Sequence, residues 1–277
     1  MQTLLYRSAL IVLKAGEIAL RYYGGREYTL KEDSSPLTQA DLESNAYILE
    51  HLALIAPYKI CSEEAVLDYE ERKSLEYYWL IDPLDGTKDF IAQNGGWTIN
   101  IALIYKKRPI LGVVYAPCFN ELYIALQGLG AFSFDSVLLK RSNPTLQWLK
   151  EHKQKLNGER KIQDSQLIAC DSMFHSTQET LEFLKKYDLK AYKCGSSLKV
   201  CTLAKGEADI YPRFNGTSEW DMAACDIILQ ESGGVIIDKQ TKKPLEYNKS
   251  SIKNNHFIAF AKSQIGQAIY RDFLKDS

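Results

Sequence analysis

The sequence is poor in the features that mark several large protein classes. Its six cysteines (Cys61, Cys118, Cys170, Cys194, Cys201 and Cys225) include no CxxC pair. Neither a zinc-ligand rhythm nor a disulfide framework is therefore indicated, and the thiols read as reduced, mostly buried groups of a cytoplasmic protein. Neither sign of charge is in excess: 34 Lys and Arg stand against 35 Asp and Glu, for a net charge of -1. No global basic field exists to hold a nucleic-acid polymer or an anionic membrane, so an anionic partner must be small and locally bound. No run reaches the about 18 apolar residues of a membrane span. The opening MQTLLYRSALIVLKAGEIAL has an apolar stretch too short for a secretory core and no small-residue cleavage pattern, and is expected to be a first helix. Internal repeats and low-complexity tracts are also lacking. Peripheral attachment to the inner membrane stays open, as do the monomer and the homodimer.

What is present is ordinary globular material: 277 residues, 45% hydrophobic and 25% charged, enough for one large domain or two of usual size. From Leu4 to Tyr23, apolar residues recur at helical spacing before Gly24-Gly25. SPLTQADLESNAYILEHLALIA offers a Ser-Pro breaker, Thr38 and Asp41 as caps, and a second helix with His51 on its side. YKICSE, YYWLID, TINIALIYK, ILGVVYAP and ELYIAL then read as strands. The interval from Arg141 to Gln163 is polar and basic, and reads as a domain junction or surface excursion. Beyond it SQLIAC, ADIYPR, GVIID and HFIAF alternate as strands with four helical stretches, which predicts an α/β half. The expected division is an N-terminal α+β half, 1–150, and a C-terminal α/β half, 151–277.

The chemistry lies in carboxylates. IDPLDGTKDF, leaving an apolar strand, carries Asp82 and Asp85 with Pro83 between them. Asp-Pro and Asp-Gly are common turn pairs, and a turn alone would account for the stretch. CSEEA places Glu63 and Glu64 on a loop, where such a pair usually faces solvent, and SEWDMAACDIIL puts Asp221 in the first turn of a helix, where the free amides favour it. Their coincidence is more informative than any one of them. Hard cations such as Mg²⁺ take oxygen ligands, so carboxylates from separate loops suffice, and two metals can clamp the attacking and leaving oxygens of a phosphoryl displacement. Asp82, Asp85 and the Leu84 carbonyl can point at one spot, and Gly86 lets backbone approach a ligand. Thr87 and Asp41 would make a water-activating dyad if the second helix starts against the sheet. GSSLK can open a helix and offer amides and hydroxyls to an anion, or simply cap it; Lys199 and Arg213 can pair with phosphate, or be surface charge.

SPLTQAD, SEEA, WLIDPLDGTKDF with WTINIALI, and EWDMAACDIILQESGG together resemble the inositol monophosphatase superfamily, in the same order and over nearly the whole chain. DGTKDF with Lys88, GSSLK and YPRF look like its bacterial 3′(2′),5′-bisphosphate nucleotidase branch, the CysQ type. The resemblance implies a layered αβαβα sandwich of the inositol monophosphatase and fructose-1,6-bisphosphatase type. It implies a Mg²⁺-dependent phosphatase, with two to three ions per site, removing the 3′-phosphate of 3′-phosphoadenosine 5′-phosphate to give AMP. By position it makes Glu63, Asp82, Leu84 through its carbonyl, Asp85 and Asp221 metal ligands, with Glu64 near a third metal. Asp41 and Thr87 become the water-activating pair. Gly86, Thr87, His175, Ser196, Lys199, Arg213 and Asp221 become substrate contacts. CDSMFH departs from the branch's Ser-Arg-Ser-His pattern, with Met173 and Phe174 in place of Arg and Ser. Inositol phosphate or a sugar bisphosphate is the alternative substrate, and a silent nucleotide-binding protein the alternative class.

Overall fold

The computed structural model describes residues 1–25, 28–31, 36–160 and 166–275. Helix α1, Gln2–Leu20, buries a stripe of Leu5, Ala9, Val12, Ala15 and Ala19. Strands β1, Thr29–Leu30, and β2, Pro36–Leu37, pair antiparallel; Ser35 of the expected Ser-Pro breaker lies outside the described residues. Thr38 and Asp41 form the expected cap of α2, Gln39–Ile55, as a reciprocal capping box. His51 lies along this helix, stacked on Tyr47.

The five expected N-terminal strands are β3 (Lys59–Ser62), β4 (Tyr77–Asp85), β5 (Thr98–Tyr105), β6 (Arg108–Ala116) and β7 (Glu121–Leu126), with short helices α3 (Tyr69–Arg72) and α4 (Thr87–Ile91) between them. Four elements follow: β8 (Gly130–Ser133), α5 (Ser136–Arg141), α6 (Leu146–His152) and β9 (Gln154–Leu156). The last two fall in the interval expected to be a junction. Its few apolar residues decide this, because Leu149 and Leu156 are buried while the polar remainder faces outward. The end of that interval, 161–163, lies outside the described residues.

The rest of the chain runs β10 (Ile168–Asp171), α7 (Gln178–Lys186), β11 (Lys190–Lys193), α8 (Leu198–Ala204), β12 (Ile210–Arg213), α9 (Glu219–Glu231), β13 (Val235–Asp238), β14 (Phe257–Phe260) and α10 (Ala268–Lys275). One sheet has seven strands in the order β3-β4-β5-β6-β7-β8-β9, the other five in the order β11-β10-β12-β14-β13.

The layers stack as αβαβα. Alternate residues of β5 go to opposite cores: Ile99, Ile101 and Leu103 pack under α1 and α2, and Ala102 and Ile104 pack against α8 and α9. Burial on both faces explains why TINIALI reads as an almost unbroken apolar run. The outer face of the five-stranded sheet packs Ile210, Ile258 and Phe260 with Leu184 of α7 and Ile269 and Phe273 of α10. Helix α9 therefore lies between the two sheets. Its approach to β6 is close enough that a Cβ on Gly112 would stand 2.3 Å from the Ala224 carbonyl oxygen. Among the described residues no helix is long and apolar enough to cross a membrane.

Candidate metal and phosphate site

The site begins where β4 stops being regular. Its pairing with β5 shifts register between Asp82 and Asp85, so both side chains leave the ladder over a short stretch. The Leu84 amide donates to Asp82 Oδ1 at 3.0 Å, closing the turn that Pro83 begins. Gly86 follows at φ 93°, and a Cβ there would meet the Ser196 hydroxyl at 2.3 Å. Two constraints, the left-handed backbone and the missing space, both call for glycine.

Asp221 arrives from the other side of the fold on the first turn of α9, held by a capping box with Ser218, whose amide donates to Asp221 Oδ2 at 2.8 Å. One oxygen of each of Asp82, Asp85 and Asp221 lies within 4.8 Å of the others. Burial raises all three above the ordinary carboxylate range, and repulsion from the neighbouring acids adds to it. Asp82 is pushed well up, Asp85 to about 6 and Asp221 to about 8. Such a set is costly unless a cation shares the space, and its oxygen-only donors suit a hard divalent ion. Leu84 and Glu63 line the same cavity. Glu64 stands behind it, and the Lys31 ammonium bridges the pair at 2.8 Å to Glu63 and 2.6 Å to Glu64.

The start of α2 does fold against this loop. Thr87 Oγ1 donates to Asp41 Oδ1 at 3.5 Å, while Asp41 Oδ2 accepts from the Thr38 amide and hydroxyl at 2.8 and 2.5 Å. Burial, with Glu64 and Glu63 adding, pushes Asp41 up to about 6 despite those two bonds. The dyad is thus assembled from residues far apart in the chain.

GSSLK does open a helix, but neither hydroxyl caps it. Ser196, at φ 46°, donates to the carbonyls of Asp85 at 2.7 Å and Gly96 at 2.8 Å. Ser197 sends its amide to Asp85 Oδ2 at 2.9 Å and its hydroxyl to the Asp221 carbonyl at 2.8 Å. Ser197 thereby joins the two carboxylate-bearing segments, a task the sequence reading did not give it. The only signal for it was the second serine of the pair.

Glu63, Asp82, Leu84, Asp85, Gly86, Thr87, Ser196 and Asp221 line a cavity of about 620 Å³. His175, Lys199 and Arg213 also line it. Lys199 is buried, with Nζ 3.3 Å from the Cys194 carbonyl oxygen and 5.5 Å from the centre of the Tyr211 ring; burial lowers its pKa. Arg213 donates from Nη2 to the Gly216 carbonyl at 3.1 Å, and its buried Nε has no partner. His175 is pushed down to about 4 by burial and by Arg213, Lys88 and Lys199. Beside it Met173 and Phe174 are about half exposed, at 49% and 47%. A larger cavity of about 1030 Å³ lies on the outer face between α7 and α10, and none of Asp82, Asp85 and Asp221 borders it.

The model of the inositol monophosphatase family matches residues 1–273. The chain is 37% identical over 236 residues to the 3′(2′),5′-bisphosphate nucleotidase CysQ of Salmonella typhimurium, covering 82% of this chain and 87% of the relative. It is 36% identical over 241 residues to the CysQ of Escherichia coli, covering 84% and 89%. Among solved structures, CysQ from Bacteroides thetaiotaomicron, a bacterial member of the inositol monophosphatase family, superposes with a TM-score of 0.83 at 36% identity over 95% of this chain and 98% of that one. An IMPase of Thermotoga maritima shares the fold at a TM-score of 0.73 and 22% identity, over 97% and 94%.

Proposed function

The chain belongs to the inositol monophosphatase family, and we propose that it works as a 3′(2′),5′-bisphosphate nucleotidase, releasing the 3′-phosphate of 3′-phosphoadenosine 5′-phosphate to leave AMP. One observation carries the reading. A carboxylate cluster and the Thr87 of a Thr–Asp hydrogen bond line one cavity together with Lys88, Lys199 and Arg213. Enzymes of this family depend on metal. We assign Glu63, Asp82, the Leu84 carbonyl, Asp85 and Asp221 to hold two Mg²⁺, with Glu64 supporting a third. Bound Mg²⁺ supplies positive charge against the phosphate and the leaving oxygen and lowers the pKa of water.

The chain's own groups do the rest. Thr87 donates to Asp41 Oδ1, so it can take a proton from the attacking water only as it passes its own to the Asp41 carboxylate, and the leaving ribose oxygen takes its proton from solvent. A carboxylate pushed up to about 6 takes part in proton transfer near neutrality more readily than an ordinary one. Ser197 keeps Asp85 aligned with the α9 start. Gly86 and the Thr87 amide approach the scissile phosphate, Asp221 also touches the substrate, and Ser196, Lys199, Arg213 and His175 hold the nucleotide and its other phosphate. The reading places the enzyme in the cytoplasm.

Phosphate release with Mg²⁺ from 3′-phosphoadenosine 5′-phosphate, inositol 1-phosphate and fructose 1,6-bisphosphate, each with a chelator control, tests this. Chelator-sensitive release from the adenosine compound, well above the other two, is expected. Preference for inositol 1-phosphate would give Met173 and Phe174 the deciding role, and binding without release would mark a silent family member.

A further inference from the structure

Lys88 follows the Thr87 of the proposed dyad and lines the same cavity as the carboxylates. Its ammonium is exposed and stands 3.2 Å from His175 Nε2, a contact that requires the imidazole nitrogen to be unprotonated and to accept. Among the described residues no carboxylate pairs with Lys88. Lys31, which also lines the cavity, by contrast bridges two acids. Burial and the joint field of Arg213, Lys88 and Lys199 hold the His175 ring neutral near pH 7. Three cations thus gather at this rim; Asp85 and Asp89 partly offset Lys199 and Asp221 partly offsets Arg213, while Lys88 has no acidic partner among the described residues. A single phosphate seated on the carboxylate floor does not satisfy that rim; a ligand with a second, separate anionic group does.

We infer that Lys88 is a specificity-determining residue whose ammonium, positioned by its contact with His175 Nε2, binds the second phosphate of a bisphosphate substrate. This rests on the nucleotidase reading and deepens it, since it separates a group that selects the substrate from the groups that act on the scissile phosphate. Lys88 is one of several donors on the rim, so its loss weakens binding more than it slows the chemistry.

The test compares K88M and K88R with the unaltered full chain, in steady-state kinetics on 3′-phosphoadenosine 5′-phosphate and on 3′-AMP, which differ by one phosphate. For K88M the bisphosphate-to-monophosphate ratio of kcat/KM is expected to fall about tenfold or more, through KM, as loss of a charge-assisted hydrogen bond implies. K88R is expected to restore most of it. Equal losses on both substrates, or no loss on either, would overturn the assignment. Calorimetric binding of the bisphosphate in Ca²⁺ buffer is the second measurement. If the unaltered chain hydrolyses neither compound, the nucleotidase reading fails, while weaker binding by K88M than by the unaltered chain still upholds Lys88 and equal binding still overturns it.

Discussion

The acidic lining of the cavity, its floor, and the basic lining, its rim, are built differently. On the floor each carboxylate is fixed: Asp85 Oδ2 alone accepts from the Ser197 amide, and Thr98, Asn100 and the Ser197 hydroxyl stand within 3.5 Å of it. On the rim Lys199 is buried against Cys194 and Tyr211, but Arg213 and Lys88 are loosely tied. Arg213 keeps one bond and an unpartnered Nε, and Lys88 holds only a histidine. On the proposed reading the held carboxylates serve phosphate esters in general, and the rim, with donors to spare, is where one ester would be told from another.

Breaking the floor carries the largest expected effect. Asp85→Asn removes one of three converging charges and should lower kcat by about a thousandfold or more, as loss of a metal ligand or oxyanion stabiliser does. Its melting temperature without metal should hold or rise, because repulsion is relieved, and added Mg²⁺ should no longer raise it; a variant with near-normal turnover would remove Asp85 from the site. Ser197→Ala, which unties Asp85 from α9, should cost about ten- to hundredfold in kcat with a small change in KM. Arg213→Met should act the other way round, raising KM for the bisphosphate about tenfold and leaving kcat nearly intact. Similar kinetic signatures for the last two would erase the distinction between floor and rim.

Smaller effects sharpen it. Asp221, raised from 3.8 to about 8, binds more protons folded than unfolded, so its contribution to stability falls as pH rises between those values. His175, lowered from 6.5 to about 4, works in the opposite sense below about 6.5. Between about pH 6.5 and 8 the carboxylates therefore act alone of the two, and chelated protein should melt about 3–6 °C lower at the upper end. Excess Mg²⁺ should flatten that slope; a slope unchanged by Mg²⁺ would mean the ion binds elsewhere. Gly112→Ala, which drives a methyl into the α9 backbone, should destabilise by about 1–3 kcal/mol in denaturant titration.

Much of the floor was legible because its geometry is local. Asp82 and Asp85 share one strand end, and Thr38 with Asp41 and Ser218 with Asp221 are capping boxes spanning a single turn. The rim was less so. His175, Lys199 and Arg213 were named by resemblance, while the Lys88 contact to His175 joins residues 87 apart and no local pattern announces it. The interval after Arg141 misled for a related reason. Polar composition hid the two buried leucines that turn it into helix and strand.

By itself the sequence determined the strand-end carboxylates, the capped helix starts, and the longer strands and helices on either side of the 141–163 interval, since each depends on backbone preferences within a few residues. Only the tertiary structure decided that Asp41 meets Thr87 across 46 residues and that Ser197 ties Asp85 to Asp221 across 112 and 24. Those meetings depend on α9 packing between two sheets, and that packing is specified by burial summed over the whole chain rather than by any segment of it.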